Sequence, residues 1–238
     1  MRYTTPGGSY YTLFKNMAEQ PHLLIAGATG SGKSVVINGI ISTLITLYAP
    51  RQADLILIDP KRVELVQYKQ LPHTIMYASE PGEPARALAK AIGIIEERYA
   101  VMQKQGVRKY GGGHVYVIID ELADLMTTDK KAVQPLIQRL CQIGRAANVH
   151  LIAATQCPLA TIIPTSIKCN LDSRVGLRTR SAQDSRNILG LAGCETLPRY
   201  GQAYYMTAEG LERWNIPMVS DERIAQLVSY WTSRACVA

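Results

Sequence analysis

The sequence predicts an α/β fold in which a mainly parallel central sheet is flanked by helices. Three observations lead to this prediction. Short apolar runs alternate with segments of helical periodicity, polar residues follow several of these runs directly, and a glycine-rich loop follows the first run. Strands that alternate with helices form parallel sheets whose two faces are both covered by helices.

The first half of the chain alternates between runs of strand type and segments of helix type. The expected elements are a strand at His22–Ala26, a helix at Lys33–Leu47 that stops before Pro50, strands at Leu55–Ile58 and Thr74–Tyr77, and a helix at Glu83–Gln105. The long helix has apolar residues at helical spacing, among them Leu88, Ile95 and Met102. Alternation of strands and helices is typical of a parallel sheet with crossover helices.

The second half continues the pattern and then loosens after Pro158. The expected elements are a strand at Val115–Ile119, a helix at Ala132–Ala147 and a strand at Val149–Ala154, followed by weaker strands at Asp172–Leu177 and Ala203–Met206 and helices at Ser181–Leu189 and Asp221–Tyr230. Polar residues follow the apolar runs at Asp59, Asp120 and Gln156. The carboxyl ends of parallel strands bind ligands, so these residues are expected to lie around the glycine loop.

Composition limits the classes of protein to which the chain can belong. It has 238 residues, of which 47% are hydrophobic, and a net charge of +7, which favours a polyanionic partner although many basic proteins bind none. Its five cysteines form no pair with metal-ligand spacing, and the N-terminus lacks the apolar run of a signal peptide. No stretch reaches the ~18 apolar residues of a membrane span. We therefore expect reduced thiols and a cytoplasmic protein without a membrane segment.

The glycine loop carries the strongest chemical signal. Gly27, Ala28, Thr29, Gly30, Ser31, Gly32, Lys33 and Ser34 together match the phosphate-binding pattern G-x-x-x-x-G-K-[ST] in full. Glycines allow the backbone N–H groups to close around phosphate oxygens, and the helix that follows directs its positive end at the same anion. Lys33 is expected to reach the β- and γ-phosphates of ATP, and the Ser34 hydroxyl to bind Mg²⁺.

Two acidic residues directly follow the apolar run at 115–119. Asp120 fits a residue that stands behind the Mg²⁺ ion, and Glu121 fits the base that orients the attacking water. A helix cap is the alternative role for an acid at such a strand end. Downstream of a complete phosphate loop, the catalytic interpretation is favoured.

Several further polar positions have two interpretations each. Gln156 ends the next strand and fits a γ-phosphate sensor, or a loop residue that bonds local backbone. Arg145 lies at a helix end and fits either a favourable dipole contact or an arginine finger that completes a neighbour's site. Structural and functional roles remain open for the segment 59–62. Most other basic residues are expected to be solvated surface; they are Lys104, Arg108, Lys109, Arg174, Arg178 and Arg180.

With these residues assembled, the chain resembles the motor domain of the FtsK/SpoIIIE family of DNA translocases over roughly residues 15–232. The resemblance rests on the segments Pro21–Ser34, Leu55–Leu65, Glu96–Arg108, Val117–Met126, Gly144–Gln156, Asp184–Leu189 and Val219–Trp231. It implies a RecA-like ATPase that forms a hexameric ring and pumps double-stranded DNA through its pore. The expected domain organisation is a lead-in at 1–20, the motor at 21–232 and a tail at 233–238.

The resemblance also assigns roles to single residues. Lys33, Ser34, Asp120 and Glu121 look like the nucleotide and Mg²⁺ residues, Arg145 like the finger that acts in trans, and Arg186 like a basic residue on the DNA-facing loop. These assignments agree with the roles that the residue types suggest for the first five of these positions.

The chain departs from the family pattern at two pore positions. Cys157 stands where the family usually has arginine, and Ala182 where it has lysine. Both departures remove charges that contact DNA. The alternative function is therefore a coupling or secretion ATPase of the same superfamily that acts on a protein partner. A small-molecule kinase is less favoured, because the sequence shows no lid-like arginine cluster.

Overall fold

The described strands form one eight-stranded sheet. The computed structural model describes Met17 and residues 19–156, 162–171 and 173–235. The strands are β1 His22–Ala26, β2 Ala53–Ile58, β3 Thr74–Ala78, β4 His114–Ile119, β5 Val149–Thr155, β6 Ser173–Gly176, β7 Gln202–Thr207 and β8 Gly210–Asn215. The helices are α1 Lys33–Leu47, α2 Glu83–Gln105, α3 Leu122–Thr128, α4 Lys130–Ile143, α5 Thr165–Lys168, α6 Ala182–Leu189 and α7 Asp221–Ala235, with short 3₁₀ turns at Val66–Tyr68 and Cys194–Thr196.

The order of the strands confirms the predicted, mainly parallel sheet. Across the sheet the order is β3-β2-β4-β5-β1-β6-β7-β8. The first six strands pair in parallel, whereas β7 runs antiparallel to β6 and β8 antiparallel to β7. Because β1 to β6 run in one direction, their carboxyl ends share one edge of the sheet. The glycine loop after β1 therefore lies between the segments that follow β5 and β6.

The central strands are buried on both faces, which explains why their sequences are apolar without alternation. In β1, Leu24 and Ala26 pack into one core, and Leu23 and Ile25 pack into the core on the opposite face. The first core includes apolar residues of α2, α3, α4 and α6, and the second includes those of α1 and α7. Among the described helices, none combines the length and the apolar character that crossing a bilayer requires.

Several elements differ from the sequence prediction. The short helix α5 was not predicted, and α7 extends to Ala235 rather than Tyr230. The helix predicted at Ala132–Ala147 spans Lys130–Ile143, because the chain turns at Gly144 and the N–H groups of Ala147 and Val149 both bind the Gly144 carbonyl. Helix α3 was not predicted, because its seven residues are too few for a periodic pattern. The edge strand β8 was also missed, since five of its six residues are exposed and it has little apolar signal.

Two buried histidines lie near the amino edge of the sheet in fixed neutral tautomers. His22 Nδ1 accepts from the Leu151 N–H, at 3.1 Å, so its Nε2–H donates to the Cys141 carbonyl. His150 Nδ1 faces the Pro21 carbonyl and therefore donates, which makes its Nε2 the acceptor for His114 Nδ1–H at 2.9 Å. Burial lowers the pKa of His22 to about 4 and that of His150 to about 3.

We expect the protein to lose stability as the pH falls below about 6.5. The unfolded chain takes up protons on these histidines near pH 6.5, whereas folded His22 and His150 resist protonation until about pH 4 and pH 3. Each histidine then lowers the unfolding free energy by about 1.4 kcal/mol per pH unit in that window. Urea unfolding near pH 7 and near pH 5 measures the slope, and His150→Gln should make it shallower. Equal stability at both pH values would contradict this account.

Candidate functional site

The phosphate loop has the backbone shape that its glycines predict. Gly30 and Gly32 adopt positive φ angles of 73° and 99°, which L side chains rarely adopt. At Gly27, a Cβ atom would lie 2.6 Å from both Leu177 Cβ and Ser31 Oγ, so only glycine fits. Helix α1 begins at Lys33, directly after the loop, and a helix N-terminus carries backbone N–H groups that point out of the helix. The loop therefore presents N–H groups and a helix N-terminus to an anion.

Lys33 and Asp120 meet at the carboxyl edges of β1 and β4. Lys33 Nζ donates to Asp120 Oδ1 at 2.7 Å and to the Asp120 backbone carbonyl at 2.6 Å. The two side chains are 7% and 2% exposed, so this is a buried ion pair. The structure thus brings together the predicted phosphate-binding lysine and the predicted acid behind the metal.

Glu121 is held by the end of strand β5. Its Oε1 accepts from Thr155 Oγ1 at 2.7 Å, and the Gln156 N–H donates to the carboxylate at 3.1 Å. Glu121 occupies the N-cap position of α3, but its side chain makes no capping hydrogen bond. The helix-cap interpretation therefore does not explain its carboxylate, which is turned toward β5.

Gln156 contacts the phosphate loop through its side chain. The Thr29 hydroxyl donates to Gln156 Oε1 at 2.7 Å, across 127 positions of sequence. Gln156 consequently links the end of β5 to the loop after β1, rather than bonding only local backbone. A side chain in this place can respond to what the loop holds.

Lys61 is a site residue whose role the sequence left open. Its ammonium lies 3.1 Å from Asp124 and 3.9 Å from Glu121. Burial acts to lower the pKa of Lys61, but its bond to Asp124 and the nearby carboxylates raise the pKa overall. Asp59 in the same segment is structural, because its buried carboxylate accepts from the Leu65 N–H at 2.9 Å. The segment 59–62 therefore divides into a structural acid and a cation beside Glu121.

An arginine-lined cavity beside the phosphate loop was missed by sequence reasoning. It has a volume of about 510 Å³, and its lining comprises Ala28, Thr29, Gly30, Ser31, Arg178, Thr179, Arg180, Glu195 and Arg199. Arg178 and Arg180, which we expected to be plain surface, follow β6, the neighbour of β1. The acids and Gln156 lie on the β4 and β5 side of the loop, so a nucleoside has room on the β6 side. The sequence feature that could have indicated this cavity is the position of Arg178 and Arg180 just after a strand.

The residues present fit ATP with Mg²⁺. Ser31 Oγ is buried without a partner in the described structure, and it lies inside the loop that Gly27 keeps open. Mg²⁺ in ATPases is generally held by phosphates and one or two protein groups. The half-buried Ser34 and the buried Asp120 can supply such groups. Within the described residues, no cluster of three His, Cys, Asp or Glu side chains forms a separate metal site.

Arg145 lies at the opposite edge of the sheet from the phosphate loop. It precedes β5, whose first residue is Val149, whereas the loop contacts the last residues of that strand. Six residue steps along β5 correspond to roughly 20 Å, so Arg145 does not reach the loop of its own chain. Its side chain is exposed. The structure therefore does not unite Arg145 with the other predicted catalytic residues.

The predicted DNA contacts are only partly described. Arg186 is exposed in the last turn of α6, and Ala182 is the half-buried first residue of that helix. Cys157 lies outside the described residues. Arg174 is structural, because its guanidinium donates to the carbonyls of Leu171, Ile188 and Lys168.

The amino-acid sequence of the chain is similar to a known protein family and to individual members of it. The model of the FtsK/SpoIIIE family matches residues 6–116 and 112–160. The chain is 38% identical over 234 residues to the DNA translocase FtsK of Staphylococcus aureus strain Mu50, a match that covers 89% of this chain and 30% of the relative. It is 36% identical over 259 residues to the DNA translocase FtsK of Agrobacterium fabrum, with 90% and 29% covered. The chain thus spans about 30% of the length of these relatives.

Solved structures share the fold. The pCW3 conjugation coupling protein TcpA, in a monomer form with ATPγS, superposes with a TM-score of 0.79 at 23% identity, covering 90% of this chain and 66% of the other. ATPases 2 and 3 of EssC from Geobacillus thermodenitrificans give a TM-score of 0.78 at 16% identity, covering 91% and 44%. At such identities the likeness concerns the fold, which is that of P-loop ATPases.

Proposed function

Because this chain belongs to the FtsK/SpoIIIE family of P-loop ATPases, we propose that it hydrolyses ATP and uses the energy to move double-stranded DNA. The observation that carries the proposal is the convergence of Lys33, Asp120, Glu121 and Gln156 on one phosphate loop. The name of its relatives, DNA translocase, supports the choice of DNA as the cargo.

Each residue has a defined role in the proposed hydrolysis. The amides of the 27–34 loop and the Lys33 ammonium bind the phosphates of ATP. Ser34 and Asp120 would hold Mg²⁺, which when bound would neutralise charge that develops on the phosphates. Glu121 accepts a proton from the attacking water, since its carboxylate is fixed by Thr155 and the Gln156 amide. Gln156 senses the γ-phosphate through its contact with Thr29.

Arg145 acts on a neighbouring subunit in this proposal. Its exposed side chain lies at the sheet edge opposite its own phosphate loop, so it is available to complete the site of another copy. A closed ring, for which we propose six subunits, gives every site a finger. Hydrolysis then depends on the geometry of the subunit interface, which is how chemistry is coupled to movement.

We expect Glu121→Gln to bind ATP normally and to turn over 10²- to 10⁴-fold more slowly, the range ascribed to general-base catalysis. The amide oxygen can still accept from Thr155 or Gln156, but it cannot take a proton. Steady-state hydrolysis and ATP titration measure the two quantities. Asp124→Asn is the matched control, because Asp124 also contacts Lys61 but is 41% exposed and makes no contact with β5 among its described bonds. Loss of ATP binding in Glu121→Gln would indicate a structural role.

Long duplex DNA is expected to stimulate hydrolysis in a salt-dependent way. Contacts with phosphates release counterions, so affinity falls steeply as salt is added. Arg186→Ala should lower the stimulation, whereas Arg234→Ala, another exposed arginine of a helix end, should not. The measurement is the ATPase rate with and without duplex at several salt concentrations.

The second candidate is a coupling or secretion ATPase acting on a protein partner. It is favoured by the absence of the family's basic residues at 157 and 182, and by the fold shared with TcpA and EssC. An ATPase rate that is the same with and without duplex DNA at every salt concentration would favour this candidate over DNA translocation.

A further inference from the structure

The loop that carries Arg145 has an unusually well-anchored backbone. The loop spans residues 144–148 and connects α4 to β5. At its start, a Cβ on Gly144 would lie 2.5 Å from the Val149 carbonyl oxygen, so the turn is tight and glycine is required. At its end, Asn148 has a φ angle of 53°, in the left-handed region. One end of the loop is therefore fixed by a close approach of backbone at Gly144, which has ordinary helical angles, and the other end by the left-handed conformation of Asn148.

Arg98 on helix α2 binds the last two residues of this loop. Its Nη1 donates to the Ala147 carbonyl at 2.6 Å and to the Asn148 carbonyl at 3.2 Å. In the described part of the chain, no carboxylate forms an ion pair with its guanidinium. Burial of the guanidinium lowers the pKa of Arg98, and the charge of the nearby Asp54 offsets this only in part, so a cation at this place is costly to keep.

Tyr110 completes the support from the second side. The Arg98 guanidinium lies over the Tyr110 ring, 4.5 Å from its centroid. The Tyr110 N–H donates to the Ala146 carbonyl at 2.9 Å, and Asn148 Nδ2 donates back to the Tyr110 carbonyl at 2.9 Å. The loop is thus bonded through Ala146, Ala147 and Asn148, the three residues that follow Arg145.

The side chain of Arg145 itself receives no such support. It is exposed, and no hydrogen bond or ion pair of its guanidinium is found among the described residues. A finger must meet a phosphate of another subunit within a fraction of an ångström, and a misplacement of about 1 Å can cost 10²-fold in rate. Fixing the backbone beforehand removes most of the entropy that ordering the loop would otherwise cost.

We propose that Arg98 and Tyr110 are positioning residues for Arg145, which hold the 144–148 loop in the shape that places the finger in the neighbouring subunit's site. The inference rests on the proposed trans role of Arg145. It assigns a function to residues far from the phosphate loop of their own chain, and it predicts that their loss damages the finger they carry while leaving their own nucleotide site intact.

The test is complementation between variants. Arg98→Ala is expected to lower the turnover 10- to 100-fold while ATP affinity stays within about twofold. Mixed with Glu121→Gln, it should recover activity, because Glu121→Gln subunits supply intact finger loops to the intact sites of Arg98→Ala subunits. Arg98→Lys should be intermediate, since an ammonium cannot serve two carbonyls and stack on Tyr110 together. In Arg145→Ala protein, adding Arg98→Ala should cause no further loss.

Controls separate this inference from the function on which it rests. Arg139→Ala removes an exposed ion pair between Arg139 on α4 and Glu96, which lies on α2 as Arg98 does. This variant should leave turnover unchanged. If Arg145→Ala and Glu121→Gln do not complement each other, the trans finger itself is wrong. If that pair complements but Arg98→Ala with Glu121→Gln does not, Arg98 acts on its own subunit and the positioning role is overturned. Arg98→Lys, with folding checked by thermal melting, tests the same point should the alanine variant unfold.

Discussion

Replacing Lys33 by alanine is expected to abolish hydrolysis and to weaken ATP binding strongly. The ammonium supplies the only side-chain cation inside the 27–34 loop, so its loss leaves the phosphate charge without that compensation. The structure adds a second consequence. Lys33 also neutralises the buried Asp120 carboxylate at 2.7 Å, and removing one member of a buried pair typically costs about 3–5 kcal/mol of stability.

A matched double variant separates these two effects. Lys33→Ala combined with Asp120→Asn carries no uncompensated buried carboxylate, so thermal melting should show recovered stability. ATP binding and hydrolysis should remain lost, because the phosphate-binding cation is still missing. Near-normal turnover in a folded Lys33→Ala protein would exclude the assignment of the 27–34 loop as the nucleotide site.

Arg145→Ala is expected to reduce turnover 10³- to 10⁵-fold, the range seen when an arginine finger is removed. The two edges of the sheet are separated by roughly 20 Å, so the loss should occur at a neighbour's site and not at the subunit's own. Mixing Arg145→Ala with Glu121→Gln subunits creates interfaces at which an intact Glu121 faces an intact Arg145. The mixture should therefore recover hydrolysis that neither variant has alone.

The recovery should depend on assembly. It is expected only at protein concentrations at which subunits associate, and light scattering on the same samples shows whether they do. A finger that acted within its own chain would give no recovery at any mixing ratio, because every subunit would keep its own defect. Uniformly absent activity in samples that contain rings would exclude a trans role.

The strength of local signals explains how much of the architecture was predictable. The bounds of β1, α1 and α2 were predicted to the residue, since each has a clear apolar pattern bounded by a glycine, such as Gly32 before α1 and Gly106 after α2. Helix α4 was placed too far along the chain, because Ala146 and Ala147 are good helix formers and only contacts with β5 turn the chain at Gly144.

The site was predictable where its residues are close in sequence to strand ends. Asp120 and Gln156 follow strands directly and Glu121 is the next residue after Asp120, so parallel pairing was enough to place them beside the phosphate loop. The sequence left the role of Lys61 open, and it did not identify Arg178, Arg180 and Arg199 as lining a cavity beside the loop. A lone basic residue carries no periodicity, and nothing in its neighbourhood distinguishes a cation near the site from a solvated one.

The sequence by itself determined the phosphate loop and the two-sided burial of the sheet. Both depend on interactions within a few residues: glycine φ angles in the first case and unbroken apolar runs in the second. The tertiary structure alone decided which side of the loop holds the acids and which holds the arginines, because this depends on β1 lying between β5 and β6. It also decided that Arg145 lies at the sheet edge opposite its own phosphate loop, beside two carbonyls that Arg98 binds from 49 and 50 positions away. Contacts across such separations are set by strand order and packing, which no local pattern of residues encodes.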